Sequence, residues 1–209
     1  MPPGVLEPCD VRPAACTPPG TVAAMARYAA LLRGIAPSGR NMTNDKLRSV
    51  FEGLGLEDVG SVLASGNIVF RSDVADAAVL EQRIEDGLAL ELGISSRTLV
   101  RTCEEMRALV DSDPFPGLAH SSTTYLTATF IKDAAGAPHA VPGQLDPGTT
   151  VVRYDAAARA VLAITDNSEP ARAAAFMVWL ERSYGKGITT RSWLTVQRIV
   201  RKLESGSTG

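Results

Sequence analysis

The chain is poor in the residues that most often carry chemistry. Of its 209 residues, two are histidine and three are cysteine. The cysteines, Cys9, Cys16 and Cys103, have no metal-ligand spacing, and no His/Cys/Asp cluster stands at such a spacing, so no metal site is expected. An odd cysteine count in a chain this long does not make a disulfide framework, which belongs to shorter, cysteine-denser secreted chains. Neither the G-x-x-x-x-G-K-S/T phosphate loop nor the G-x-G-x-x-G dinucleotide fingerprint occurs, and no cofactor is expected. Nucleophilic catalysis needs a Ser, Cys or Thr with a base in reach. His120 and His139 both lie in loop-like surroundings rich in Pro, Gly and Ser, where a solvated surface histidine is the simplest reading. Cys103 opens a predicted helix. It has two readings: a thiol with its pKa lowered by the helix N-terminus, or a half-buried structural thiol.

Long apolar runs are missing too. The longest with helical character lies around Ala171–Leu180, well short of the roughly 20 residues a bilayer span needs. Charge of one sign is also missing. The net charge is −2 and the isoelectric point about 5.7. A nucleic-acid binder usually has a basic balance, because its affinity comes from neutralising phosphates. Aromatic residues at 5% also leave little material for base-stacking platforms. What is present is ordinary globular composition: 45% hydrophobic, 21% charged, mean hydropathy +0.04. A soluble, cytoplasmic protein is expected, folded as one large domain or two small intimate ones.

Residues 1–24 differ from the rest. Pro2, Pro3, Pro8, Pro13, Pro18 and Pro19 crowd together without apolar periodicity, and the basic start and apolar core of a signal peptide are absent. The segment reads as a disordered tail, or as translated sequence upstream of a start at Met25. Residues 204–209 read as a second short tail.

Between the tails the elements can be ordered by punctuation and period. Arg27–Arg33 is a buried strand, with Tyr28 to Leu32 apolar between charged ends. Thr43 then caps a helix, with Asp45 in the first turn. Leu47, Val50, Phe51 and Leu54 lie at i, i+3, i+4 and i+7, and Gly55 ends the helix. Val59–Ala64 and Ile68–Arg71 form a hairpin about Ser65-Gly66-Asn67. A second helix, capped by Asp73 or Asp76, repeats Leu80, Ile84, Leu88 and Leu92 and closes at Gly93. Arg97–Arg101 is the next strand. The order β-α-β-β-α-β is the ferredoxin-like arrangement, an antiparallel sheet with both helices on one face.

Residues 103–203 echo residues 25–102 loosely. Thr102 and Glu105 form a capping box, and Asp113-Pro114-Phe115-Pro116-Gly117 is a loop. Thr124–Ile131 is a strand, and Ala134–Pro147 a connection with room for one helical turn. Val151–Tyr154 and Ala160–Thr165 make a hairpin, Ala171–Tyr184 a helix, Ile188–Arg191 a strand and Trp193–Leu203 a closing helix. The fold class is therefore α+β: two ferredoxin-like halves with a C-terminal helix. No residue-level repeat is visible.

Five segments, in order, resemble a bacterial family of uncharacterised proteins, the domain of unknown function 1697 family. They are Tyr28–Ile35 (YAALLRGI) followed by Asn41-Met42, Leu54–Val59 (LGLEDV), Ser65–Phe70 (SGNIVF), Asp113–Pro116 (DPFP) and Thr189–Trp193 (TTRSW). The resemblance implies a two-lobed α+β fold with ferredoxin-like halves, and it transfers no reaction. Ala36-Pro37 stand where the family usually has Asn-Val, and Ser192 where asparagine is usual. Asp166–Pro170 replaces a more glycine-rich, basic loop.

The site candidates are polar loop residues beside strand ends: Arg33, Gly34, Asn41, Ser65, Gly66, Asn67, Thr190, Arg191 and Trp193. They suggest a small phosphorylated or carboxylated ligand between the halves. Arg33 or Arg191 would contact it, Thr190 would hydrogen-bond to it, and Trp193 would stack. The same residues suit turns, helix caps and a core tryptophan. Two alternatives stand beside the ligand reading. One is a nucleic-acid-binding module using Lys186, Arg191, Arg198, Arg201 and Lys202; the other is a scaffold whose sheet edges pair with a partner. Whether the chain is an enzyme is left open.

Overall fold

The apolar run Tyr28–Leu32 reaches solvent on neither side: its five residues are at most 2% exposed. In a computed structural model, which describes residues 25–36, 38–121, 123–132, 144–146, 148–166, 168 and 170–206, this run is an inner strand, β1 (Ala26–Leu32). It is followed by α1 (Asn44–Gly53), β2 (Glu57–Ser61), β3 (Asn67–Ser72), α2 (Ala77–Leu92) and β4 (Thr98–Thr102). The strands form an antiparallel sheet in the order β2-β3-β1-β4, the ferredoxin-like pattern.

The caps follow from the residue types. Thr43 accepts from the Lys46 N–H at the start of α1. Asp76, of the two aspartates read from the sequence, caps α2 by accepting from Ala78 N–H, and Gly93 ends α2 at φ 66°.

The second half begins with α3 (Cys103–Asp111), whose capping box is complete. The rest of this half is β5 (Thr124–Ile131), β6 (Gln144–Asp146), β7 (Thr149–Asp155), β8 (Ala160–Asp166), α4 (Pro170–Tyr184), β9 (Ile188–Ser192) and α5 (Trp193–Ser205). Its sheet runs β6-β7-β8-β5-β9. Without the short edge strand β6 this is the first sheet's order again. The expected helical turn within Ala134–Pro147 is not found in the part described: residues 144–146 are strand, and residues 134–143 and 147 lie outside the described residues. Residues 1–24 and 207–209 also lie outside them. At the C-terminus α5 runs past Leu203, the sequence boundary, to Ser205. There Glu204 pairs with Arg107, and Arg27 donates to the Leu203 carbonyl at 3.0 Å.

Three apolar clusters define the layers. Tyr28, Ala30 and Leu32 of β1 pack with Leu47 and Phe51 of α1 and Leu80, Ile84 and Leu88 of α2. The other face of β1, Ala29 and Leu31, joins a central cluster shared by both sheets. That cluster holds Met106 and Leu109 of α3, Val196, Ile199 and Leu203 of α5, and Ala128, Phe130 and Leu162 of the second sheet. The outer face of the second sheet, Ile131, Val161 and Ala163, carries Phe176 and Leu180 of α4. The first sheet thus carries α1 and α2 outside and the second carries α4, while α3 and α5 fill the space between the two sheets. Both faces of β1 are covered, which is why it reads as a continuous apolar run and not an alternation.

Candidate functional site

The last strand of each half ends in an arginine followed by a helix cap: Arg101-Thr102 before α3, and Arg191-Ser192 before α5. Arg101 pairs in register with Ala29 of β1, and Arg191 with Ala128 of β5. Each guanidinium crosses into the opposite half. Arg191 Nη2 donates to the Leu32 carbonyl at 2.7 Å, with Ser65 and Gly66 carbonyls at 3.3 and 3.4 Å, and its Nε donates to Asn67 Oδ1. Arg191 Nη1 serves its own strand, donating to Thr189 Oγ1 and the Thr190 carbonyl. Arg101 makes the corresponding reach. Its Nη2 donates to the Ile131 carbonyl at 2.6 Å and its Nε to the Ala158 carbonyl at 2.7 Å, while Nη1 donates to the Val100 carbonyl.

The receiving ends are equivalent as well. Leu32 N–H donates to the Gly66 carbonyl and Ile131 N–H to the Arg159 carbonyl, at 2.8 and 2.9 Å. Gly66 and Arg159 both have positive φ, 71° and 50°. At Gly66 the glycine is also needed for space, since a Cβ there would lie 2.7 Å from Ile35 Cγ1. Burial pushes both guanidinium groups down to about 10.

A flanking ion pair repeats on each side. Arg33 pairs with Glu181 of α4 and donates to the Lys186 carbonyl at 2.6 Å, while Lys132 pairs with Glu81 and Glu85 of α2.

The structure therefore gathers Arg33, Ser65, Gly66, Asn67 and Arg191 at one joint. Asn67, 1% exposed, also donates to the Val62 carbonyl and to Ser65 Oγ. The donors of Arg191 are taken up by protein acceptors, so the group acts as a clamp between the halves. Gly34 supplies a left-handed turn at φ 75° beside the joint and is exposed. Thr190 is hydrogen-bonded to Thr129 at 2.8 Å. Trp193 belongs to the central core, its ring edge-on to Phe115 at 5.2 Å. Asn41 stands apart, donating to the Leu92 carbonyl and accepting from Lys46. It borders an outer groove of about 660 Å³ between α1 and α2.

A second cavity gathers arginines. Arg27 of β1, Arg71 of β3 and Arg107 of α3 line a polar cleft of about 550 Å³ between the start of α3 and the end of α5. Arg27 and Arg71 both reach Asp58, and Arg107 reaches Asp111 and Glu204. Cys103 lies in this cleft with its thiol pushed up by burial and by Glu104 and Glu204, so the half-buried structural reading holds. These arginines are dispersed in sequence and carry no spacing signal, which is why sequence reading passed over them.

Among the described residues, no group of three or more His, Cys, Asp and Glu side chains is placed to hold a metal ion, and no helix is long and apolar enough to cross a membrane.

No curated protein matches the sequence of this chain. A solved structure, of the conserved bacterial protein SP0830 from Streptococcus pneumoniae, is similar in fold at a TM-score of 0.64. It is 22% identical, and the match covers 87% of this chain and 99% of that one. A family model described as "Protein of unknown function (DUF1697)" matches residues 25–152, which include the whole first half, α3, β5 and the start of β7. With the Ser65–Phe70 and Asp113–Pro116 segments inside that match, the chain belongs to the DUF1697 family.

Proposed function

We propose that the protein binds a small anionic ligand, phosphorylated or carboxylated, in the cleft lined by Arg27, Arg71 and Arg107. The observation that carries this reading is the convergence of three arginines, from β1, β3 and α3, against two glutamates, Glu104 and Glu204, on one polar cavity of about 550 Å³. Arg27 is held by the Leu203 and Gly206 carbonyls at the end of α5, so Arg71 and Arg107, whose partners are carboxylates, are the arginines that would turn to an anion. The carboxylates now paired with the arginines are exposed, Asp58 at 52%, Asp111 at 66% and Glu204 at 42% of the side chain. Exposed pairs of this kind are worth about 0–1 kcal/mol, so a multiply charged ligand can displace them at little cost.

The basic residues of α5 favour the nucleic-acid alternative less. Arg201 donates to the Gln197 carbonyl of its own helix, and Lys202 lies along Gly60 of β2.

Thermal denaturation at low ionic strength with citrate, inorganic phosphate and a nucleoside diphosphate tests the reading. A ligand at a hundred times its Kd should add about 2.7 kcal/mol, and the double variant Arg71→Ala/Arg107→Ala should remove that gain. A flat response to all three anions, or equal stabilisation of the double variant, overturns it.

A further inference from the structure

The arginine cleft has a counterpart at the equivalent place in the second half, and its chemistry is different. Cys103, Glu104 and Arg107, which line the arginine cleft, are the first, second and fifth residues of α3. The first, second and fifth residues of α5 are Trp193, Leu194 and Gln197, and they line a cavity of about 320 Å³. The strand residues match too. Arg27 precedes Tyr28, which pairs with Thr102, and Leu126 precedes Thr127, which pairs with Ser192. One central helix starts in each cleft, and the chain leaving the other lies beside it. Where the first cleft has arginines, the second has Leu126, Phe115, Leu118 and Trp193.

This second cleft has apolar walls and a small set of polar groups, the usual make-up of a small-molecule pocket, and its volume is at the lower end of the roughly 300–1,000 Å³ such pockets occupy. The edge-to-face pair of Phe115, 3% exposed, and Trp193, 7% exposed, gives it a rigid aromatic floor. Leu118 and Leu194 are 49% and 43% exposed at its rim.

The polar groups are mainly donors. His120 Nδ1 accepts from Leu126 N–H at 3.4 Å, which in the neutral ring leaves the proton on Nε2. The His120 ring is held edge-on to Tyr125 at 4.6 Å. The indole N–H of Trp193 and the side-chain amide of Gln197 have no hydrogen-bond partner among the described residues. Three of these groups, His120 Nε2, the Trp193 indole and the Gln197 amide nitrogen, can donate, which suits a flat, apolar molecule carrying an acceptor. Asp113 is the one acid in the lining, held at φ 38° at the start of the Asp113–Pro116 loop.

We propose that the cleft formed by Phe115, His120, Leu126, Trp193 and Gln197 is a second ligand site, taking a small aromatic molecule with a carboxylate or comparable acceptor group. The ring lies against Trp193 and Leu194, and the acceptor receives hydrogen bonds from Gln197 and His120. The site is independent of the anion reading for the arginine cleft and stands if that reading fails.

The test uses the full chain and benzoate as probe, with toluene as its uncharged counterpart. Trp193 and Trp179 are the chain's two tryptophans, so the indole N–H signals in a nitrogen–proton spectrum are assigned by the single variant Trp179→Phe. Benzoate is expected to shift the Trp193 signal saturably and to leave Trp179 in place. Because Gln197 is on the cleft wall and not in the core, Gln197→Leu should fold normally. It should weaken benzoate about tenfold, the value of one hydrogen bond to a charged group, without weakening toluene. Leu194→Asp should weaken both probes by removing an apolar wall, and benzoate the more, by adding a like charge to that of Asp113. No saturable shift at Trp193 overturns the proposal. So does toluene binding as tightly as benzoate, or Gln197→Leu leaving benzoate affinity unchanged. Running the titration also in Arg71→Ala/Arg107→Ala separates the two clefts, since the Trp193 response must survive loss of the arginines.

Discussion

At the scale of single residues, the balance at Arg191 is between the cost of burying a cation and the value of its hydrogen bonds. Burial lowers its pKa to about 10. Against it stand the bonds to the Leu32, Ser65, Gly66 and Thr190 carbonyls, Thr189 Oγ1 and Asn67 Oδ1. Removing the guanidinium strands these acceptors, and those on the buried residues Leu32, Gly66 and Asn67 are the costly ones, at about 1–3 kcal/mol for an unmet buried acceptor. Arg191→Met is therefore expected to lower stability by about 3 kcal/mol, read as a lower urea midpoint at unchanged slope. Arg191→Lys should recover only part, because an ammonium has no planar fork to span Leu32 and Asn67 at once. A loss below about 1 kcal/mol for Arg191→Met would show that the clamp contributes little. The Ser65-Gly66-Asn67 and Thr189–Trp193 segments meet at this clamp, so their polar residues are accounted for by the joint, independently of any ligand.

At the scale of elements, α2 is where the halves couple through charge. Glu81, 4% exposed, accepts from Val100 N–H at 2.8 Å and faces Lys132 at 3.6 Å and Arg101 at 4.0 Å. Burial raises its pKa above the ordinary 4.5, outweighing the lowering by Val100, Lys132, Arg101 and Arg159. The folded chain then holds this proton more tightly than the unfolded chain. Between 4.5 and the raised folded value the folded state binds more protons, so this group's contribution to stability falls as pH rises through that window. Glu81→Gln keeps an acceptor for Val100 and cannot ionise. Its stability, followed by urea denaturation from about pH 4 to about pH 7, should lack the decline seen in the parent chain. Parallel curves for the two proteins would mean that Glu81 stays charged when folded.

The elements themselves were largely legible in sequence, because their signals are local. Thr43, Asp76 and Thr102 cap helices by a side-chain oxygen, and the continuous apolar run at Tyr28–Leu32 marks a strand covered on both faces. The joint was legible only in part. Arg191 and Asn67 stood out as polar residues at strand and hairpin ends, while Arg101 did not, since its acceptors Ile131 and Ala158 are distant in sequence and offer only backbone carbonyls. Arginine followed by a Ser or Thr cap, found twice before a helix, was the available signal. The clefts were not legible at all, because Arg27, Arg71 and Arg107 are brought together by strand pairing and helix packing.

At the scale of the whole molecule, the equivalence of the halves has an energetic consequence. The central cluster takes residues from both sheets and from α3 and α5, and Arg101 and Arg191 fasten it from opposite sides. Neither sheet can expose its inner face without exposing the other's, and each departing half takes away acceptors of the other half's arginine. Separate unfolding of one half therefore costs nearly as much as unfolding both, so the chain is expected to melt in one cooperative transition. Tryptophan fluorescence reports the second half through Trp179 and the shared central cluster through Trp193, whereas amide exchange of Ala29–Leu31 reports the first half. The two should give the same free energy of unfolding, and Arg101→Met should lower both by the same amount. If exchange at Ala29–Leu31 instead keeps its protection under conditions where the tryptophan signal is already that of the unfolded chain, the halves fold separately. The reciprocal arginines would then be an orienting contact between two stable units.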